Sequence, residues 1–325
     1  MVESFVNDQS GPLRPRESEV LRYFELLSNW GRWGADDTLG TLNFITPETR
    51  RRAAALVKEG IAVSCAFDIR PNQPSVNATL ATPPQRYMAV TCDTPSFEGG
   101  RGAMAAEWFG MLFHGHDVTH VDALSHIAWD GQLYNGVHAG RVTPLRGATS
   151  HAITDAAAGI VGRGVLIDIP ALTGRPWLEP GEGIFPEHLD AACARQGVTV
   201  GEGDIVLLHT GFALRRREAK FQEPMAEKGY PGWHAAALPW LHEHRVAAIG
   251  ADTPNDVRPS GYDEVSDPIH YVGIVAMGLW LIDNCDLTEL ASTCDRLQRW
   301  TFEFILAGLR LRGGTGSPVN PIALL

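Results

Sequence analysis

The sequence predicts a mixed α/β fold gathered into one body. Short apolar runs entered through glycine turns read as buried strands: 165–169 after Gly162-Arg-Gly164, and Ile205–His209 after Gly201-Glu-Gly-Asp204. Segments of helical spacing, such as Pro186–Gln196, alternate with these runs, and neither a fixed repeat period nor a low-complexity linker divides the chain.

The elements follow in order. Residues 1–20 are polar and read as a loose arm, and 18–27 carry Val20, Leu21, Phe24 and Leu27 at helical spacing. We therefore separate an N-terminal arm and helix, 1–29, from a single domain, 30–325. Residues 29–40 form a loop rich in glycine, tryptophan and aspartate. Thr46-Pro47-Glu48 combines an N-cap, a proline at the first helical position and an acid in the first turn, opening a helix to about residue 58 that Gly60 ends. Residues 61–69 resemble a strand. The stretch 71–102 holds five of the 21 prolines and ends in Gly99, Gly100 and Gly102, as expected of an irregular segment beside a site. The run 108–114 is apolar and aromatic and reads as a buried strand. Residues 233–244 look helical, 246–251 form another buried strand, and 280–282 and 302–311 are the last strands before the turn-rich Gly313-Gly-Thr-Gly-Ser-Pro318.

Composition excludes several classes. With 27 Lys+Arg against 38 Asp+Glu the 325-residue chain carries a net charge of −11 and lacks the basic surplus that releases counterions from a nucleic acid. An acidic surplus also disfavours anionic membranes. The longest apolar run, 271–282, falls short of the roughly 18 residues a bilayer span needs. The first twenty residues lack the basic start and apolar stretch of a secretory signal, so a cytoplasmic location is expected. Five dispersed cysteines without a CxxC pair suit neither a disulfide framework nor a thiolate zinc site.

Histidine placement carries the functional signal. Six of the twelve histidines fall between His114 and His151, four of them in the segment His114-Gly-His116-Asp117-Val118-Thr119-His120-Val121-Asp122-Ala123-Leu124-Ser125-His126. His116, His120 and Asp122 form a two-histidine, one-carboxylate set, the ligand number and type of open catalytic sites for Zn²⁺, Mn²⁺ or Fe²⁺. The four-residue step suits a helix face, whereas the two-residue step from His120 to Asp122 suits one side of an extended chain. The β-branched Val118, Thr119 and Val121 favour the extended form. His126 reads as a further ligand or as the base for water activated by the metal, since an ordinary imidazole pKa of about 6.5 matches such a water at about 7.

The pattern His116-x3-His120-x-Asp122-x3-His126, with Thr119 before the second histidine, resembles the signature of the cyclase-type metal-dependent hydrolases, the family that includes bacterial kynurenine formamidase and isatin hydrolase. Trp33-Gly-Ala-Asp-Asp-Thr-Leu-Gly-Thr-Leu-Asn43, Gly131-Gln-Leu-Tyr-Asn-Gly136, Gly250-Ala-Asp-Thr-Pro254, Ile282-Asp-Asn284 and Thr315-Gly-Ser-Pro-Val-Asn-Pro321 agree with its longer branch. The resemblance implies a swivelling β/β/α fold with a mixed sheet, assembled as a homodimer or homotetramer. It implies Zn²⁺ or Mn²⁺ on His116, His120 and Asp122, with His126 as the catalytic histidine. The reaction implied is hydrolysis of a C–N bond in a small aryl amide, cyclic amide or imide by metal-activated water. A lactone hydrolase, or a cyclase or lyase acting on a small carbonyl compound, is the alternative. A binding protein without turnover is disfavoured, because structural metal sites close with four protein ligands. Val118 and Leu124 stand where the signature has glycine and proline. His270 and Asp283 are the nearest matches to a second-ion pair, one residue off in spacing, so one ion is favoured and two are possible.

His209 ends a buried strand and reads either as a substrate-facing donor or as a satisfied core histidine. Asp252 reads as a group behind the metal ligands or as a turn cap. Trp108, Phe109 and Phe113 wall an aromatic pocket or belong to a core strand. The resemblance offers Trp30 and Trp33 as a lid from a neighbouring subunit, and His138, His151, His242 and His244 read as surface residues.

Overall fold

A computed structural model describes residues 13–78, 82–93 and 100–325; Gly99 and part of the proline-rich stretch lie outside the described residues. In chain order the strands are β1 (Ala62–Ser64), β2 (Gln85–Val90), β3 (Ala106–Gly110), β4 (His120–Asp122), β5 (Val142–Thr143), β6 (Gly147–Ala148), β7 (Ile160–Asp168), β8 (Gly183–Ile184), β9 (Ile205–His209), β10 (Gly232–Trp233), β11 (Ala248–Ala251), β12 (Trp280–Asp283), β13 (Thr301–Leu306), β14 (Gly316–Pro318) and β15 (Ile322–Leu324). Nine of them form one mixed sheet in the order β1-β15-β13-β7-β9-β11-β12-β4-β14. The α-helices are α1 (Glu17–Leu26), α2 (Pro47–Ala54), α3 (Ile169–Thr173), α4 (Pro186–Gln196), α5 (Phe212–Glu218), α6 (Met225–Lys228), α7 (Ala237–Glu243) and α8 (Thr288–Leu297), and Ile269–Met277 forms a π-helix.

The four central strands, β7, β9, β11 and β12, are parallel. Every residue of β9, β11 and β12 is buried, which is why they read as unbroken apolar runs. The flanks are antiparallel. In β13 Phe302, Phe304 and Leu306 are buried while the alternate positions are half-exposed, the period of a sheet covered on one side.

On the other flank β4 lies between β12 and β14 and pairs antiparallel with both. His120 stands opposite Asp283 and Pro318, and Asp122 opposite Leu281 and Gly316. Directly opposed residues share a face, as do residues two apart in one strand. Register alone therefore puts His120, Asp122 and Asp283 on one side of the sheet.

Several expected boundaries shift for visible reasons. Thr46 caps α2 as expected, its hydroxyl accepting the Thr49 amide at 3.1 Å, but the helix stops at Ala54, where Leu56 N–H turns back to the Ala53 carbonyl. The strand expected over 61–69 is confined to Ala62–Ser64. The helix expected from residue 233 begins at Ala237, because Trp233 is held extended, its amide donating to the Asn255 carbonyl at 2.7 Å. The apolar run 271–282 is divided between the π-helix and β12, with Gly278 at φ +67° making the turn. The expected buried strand over 108–114 is corrected: β3 ends at Gly110 and pairs with β2 in a separate two-stranded ribbon, leaving Trp108 54% and Phe109 46% exposed. His151, expected at the surface, is instead buried, edge-on against Tyr134.

The N-terminal region locks onto the π-helix at one close contact. A Cβ on Gly40 would stand 2.2 Å from the Gly278 carbonyl oxygen, and one on Gly278 would stand 2.6 Å from the Tyr134 ring. Both positions therefore need glycine. Trp30 Nε1 donates to the Val275 carbonyl at 2.7 Å. Helix α1 buries Val20 in the same core. No helix among the described residues is long and apolar enough to cross a membrane.

One buried histidine makes stability pH-dependent. His234 stacks on Phe185 at 4.2 Å, and its Nδ1 accepts the Ala236 amide, which requires the neutral ring. Burial, and then Arg14, push its pKa down to about 4. The unfolded chain, with an ordinary value near 6.5, binds the proton more readily, so stability falls as pH drops from about 6.5 toward 4. We expect the wild type to lose on the order of 1–2 kcal/mol more than His234→Gln between pH 7 and pH 5 in urea unfolding. Parallel pH profiles for the two proteins would refute this assignment.

Candidate metal centre

The segment 114–118 is a bend that feeds directly into β4. Thr119 anchors the entry: its hydroxyl donates to the Asn284 carbonyl at 2.5 Å and accepts the Phe67 amide at 3.0 Å. The expectation of an extended chain from His120 to Asp122 holds. His120 Nδ1 lies 2.8 Å from the Val118 carbonyl oxygen; a carbonyl only accepts, so the proton sits on Nδ1 and the Nε2 lone pair faces inward.

Asp122 is fully buried, and neither of its carboxylate oxygens receives an aligned hydrogen bond. Burial alone would discharge this carboxyl. The surrounding imidazoles, His126 foremost, outweigh burial and hold its pKa well below the usual range. His270 enters from the first turn of the π-helix. Its Nδ1 lies 2.6 Å from Asp256 Oδ2, while Asp256 also accepts the Ile269 and His270 amides that open the helix. Burial opposes a charge on His270, yet Asp283, Asp122 and Asp256 together raise its pKa well above the ordinary value. Asp283 Oδ1 accepts from the Asn255 amide at 2.5 Å, which leaves Oδ2 turned inward.

Four inward separations are nearly equal. His120 Nε2 lies 3.6 Å from both Asp122 Oδ1 and Asp283 Oδ2, and His270 Nε2 lies 3.5 Å from Asp122 Oδ2 and 3.4 Å from Asp283 Oδ2. Donors about 2.1 Å from a tetrahedral ion stand about 3.4 Å apart, and His120, Asp122 and Asp283 have ligating atoms all within 4.8 Å of one another, with His270 beside them. The bare carboxylate, two neutral-capable imidazoles with their outer nitrogens anchored, and a second carboxylate fit a divalent cation.

His126 follows β4 on a short loop, 24% exposed, with Nε2 3.9 Å from Asp122 Oδ2. Burial and the neighbouring histidines push its pKa down to about 4 against the pull of Asp122, so the ring is an unprotonated acceptor at neutral pH. His116 lines the same cleft, its ring 5.5 Å from Tyr230. Burial, then Arg216, lower its pKa. The cleft, about 590 Å³, opens between these histidines and Ile127, Tyr230 and Tyr271, with the Arg258–Asp267 ion pair on its wall.

Three sequence candidates lie elsewhere. His209 is a satisfied core histidine, its Nδ1 3.0 Å from Asp168 Oδ1 across the β7–β9 pair. Asp252 caps a turn, accepting the Thr210 amide and hydroxyl at 2.9 and 2.6 Å. Trp108 stacks on Tyr87 in the exposed hairpin and does not wall the cleft, because that ribbon pairs only with itself among the described residues. Phe113 does pack here, 4.5 Å from the His114 ring and 6.1 Å from His120. Sequence reasoning missed Asp256, which follows Gly250-Ala-Asp-Thr-Pro254 by two residues, and Arg258 with Asp267. Their spacing carries no motif; folding alone brings them to His270 and the cleft.

A family model described as "Putative cyclase" matches residues 52–256. The chain belongs to the cyclase family. A crystal structure described as a novel cyclase is 31% identical to it, covers 93% of this chain and 99% of its own, and superposes with a TM-score of 0.82. An isatin hydrolase bound to the product analogue thioisatinate is 18% identical over 86% of this chain and 99% of its own, with a TM-score of 0.58. Isatin hydrolase A from Ralstonia solanacearum is 21% identical over 81% of this chain and 91% of its own, again with a TM-score of 0.58. These two share the fold, the mixed-sheet architecture the resemblance implied. No protein of curated function matches this cyclase-family chain.

Because Asp256 holds Nδ1 of His270, Asp256→Asn should weaken divalent-ion binding by about 10- to 100-fold. Calorimetric titration of chelator-treated protein with Zn²⁺ checks this, and unchanged affinity would refute the role given to Asp256.

Proposed function

We propose that this protein is a metal-dependent hydrolase that cleaves a C–N bond in a small aryl amide, cyclic amide or imide. The observation that carries the reading is the fully buried Asp122 gathered with His120, His270 and Asp283 through inward separations of 3.4 to 3.6 Å beside a cleft. His120, Asp122 and Asp283 have ligating atoms all within 4.8 Å of one another, as have His114, Asp122 and His126, and His116 of the motif lines the adjoining cleft. One Zn²⁺ or Mn²⁺ ion is favoured. When bound, such an ion supplies Lewis acidity to a carbonyl and to water.

The chain's own groups do the rest. Asp122 and Asp283 bring two negative charges to offset a dication. His126, neutral and partly open to the cleft, accepts a proton from the attacking water and returns it to the leaving nitrogen. Tyr230, Tyr271 and Ile127 give the cleft a flat apolar side suited to an aryl or planar cyclic substrate. A homodimer or homotetramer is the assembly we propose.

Elemental analysis of gently purified protein should find bound Zn²⁺ or Mn²⁺, and a panel of amides, imides and lactones should show turnover of the C–N members. His126→Ala should lower kcat by about 10²- to 10⁴-fold, and His116→Ala should abolish turnover. Protein free of metal, or activity unaffected by His116→Ala, would overturn the reading; turnover of lactones alone would shift it to a C–O hydrolase.

A further inference from the structure

His114 precedes the motif by two residues, and its ligating atom lies within 4.8 Å of those of Asp122 and His126. Its Nδ1 lies 2.9 Å from Asp122 Oδ1, and its ring lies parallel to that of His126, 3.8 Å between centroids with 2° between planes. Its Nε2 lies 3.1 Å from Thr315 Oγ1. The Nδ1 approach is short but not aligned as a hydrogen bond, and Nε2 pairs with the Thr315 hydroxyl. Thr315 is itself tied to β4, its carbonyl accepting the Ala123 amide at 3.0 Å.

The surroundings are shaped to this ring. A Cβ on Gly316 would stand 2.5 Å from the Val121 carbonyl oxygen and 2.8 Å from His114 Cε1, so glycine in β14 admits both the neighbouring strand and the imidazole. Phe113 packs on it at 4.5 Å. Both nitrogens and the stacked face are thus engaged by different partners.

We propose that His114 is a positioning residue with two separable effects: Nδ1 orients the Asp122 carboxylate for the cation, and the ring face fixes the plane of the proton-carrying His126. The proposal rests on the metal-hydrolase reading. Without the Nδ1 contact Asp122 turns on its Cα–Cβ bond away from His120; without the stack His126 samples orientations in which Nε2 leaves the cleft. Partners behind a metal's ligands commonly change affinity or activity by about 10- to 100-fold.

Two substitutions separate the effects. His114→Asn places an amide nitrogen near the Nδ1 position and removes the ring, whereas His114→Phe keeps a ring on His126 and removes both nitrogens. Zn²⁺ titration of chelator-treated proteins should show affinity within a few-fold of wild type for His114→Asn and about 10- to 100-fold weaker for His114→Phe. At saturating Zn²⁺, His114→Asn should lose kcat about 10-fold or more with KM nearly unchanged, and His114→Phe should retain most of kcat. Wild-type affinity in His114→Phe overturns the proposal. So does an equal loss in both variants accompanied by an equal drop in the metal-free Tm, the mark of a structural role alone. Wild type that takes up no Zn²⁺ overturns the underlying reading and the proposal together.

Discussion

A three-residue strand, β4, hydrogen-bonded on both edges, is the constraint on which the site depends. Pairing with β12 fixes which residue faces His120, and pairing with β14 prevents β4 from slipping. A one-residue slip would send His120 and Asp122 to the opposite face and bring Val121 to the cleft. The sheet's chief contribution to the site is thus a matter of register. The helices cover it, and the π-helix adds His270 from above.

The centre also holds charge that an apolar interior resists. Asp122 is fully buried with no aligned hydrogen bond, and Asp283 is nearly so. Such carboxylates are tolerated when partly charged imidazoles or a cation stand near. The outer polar groups follow a consistent division. Val118, Asp256 and Asn255 hold the outward atoms of His120, His270 and Asp283, and the inward atoms are left uncommitted. This division, more than the identity of the ligands, distinguishes a prepared site from a chance cluster of histidines.

Much of this was legible in the chain. The glycine-turn strands, α4 and the extended form of 120–122 follow from local propensity and period, because each is decided by neighbours in sequence. His270 and Asp283 could be matched only through resemblance, since nothing local to them signals their meeting with Asp122. Asp256 was invisible for the same reason. Where the reading failed, tertiary context decided. Apolarity at Trp108 and Phe109 suggests burial, yet their hairpin pairs apart from the main sheet. His209 and Asp252 sit at strand ends, as catalytic groups often do, but each is satisfied by an adjacent strand or turn.

The contact between His114 and Thr315 spans 201 residues of chain. Together with β14 against β4, it means the donors reach their relative positions only after the chain from His114 to Thr315 has come together. Closing so long a loop costs entropy that local structure cannot recover, so the donor shell is absent from partly folded states. Any ligand of these side chains therefore binds the complete fold in preference to its fragments, and stabilises it globally by mass action. Occupancy of the centre is, in effect, a readout of whether β4 and its lead-in have met β14.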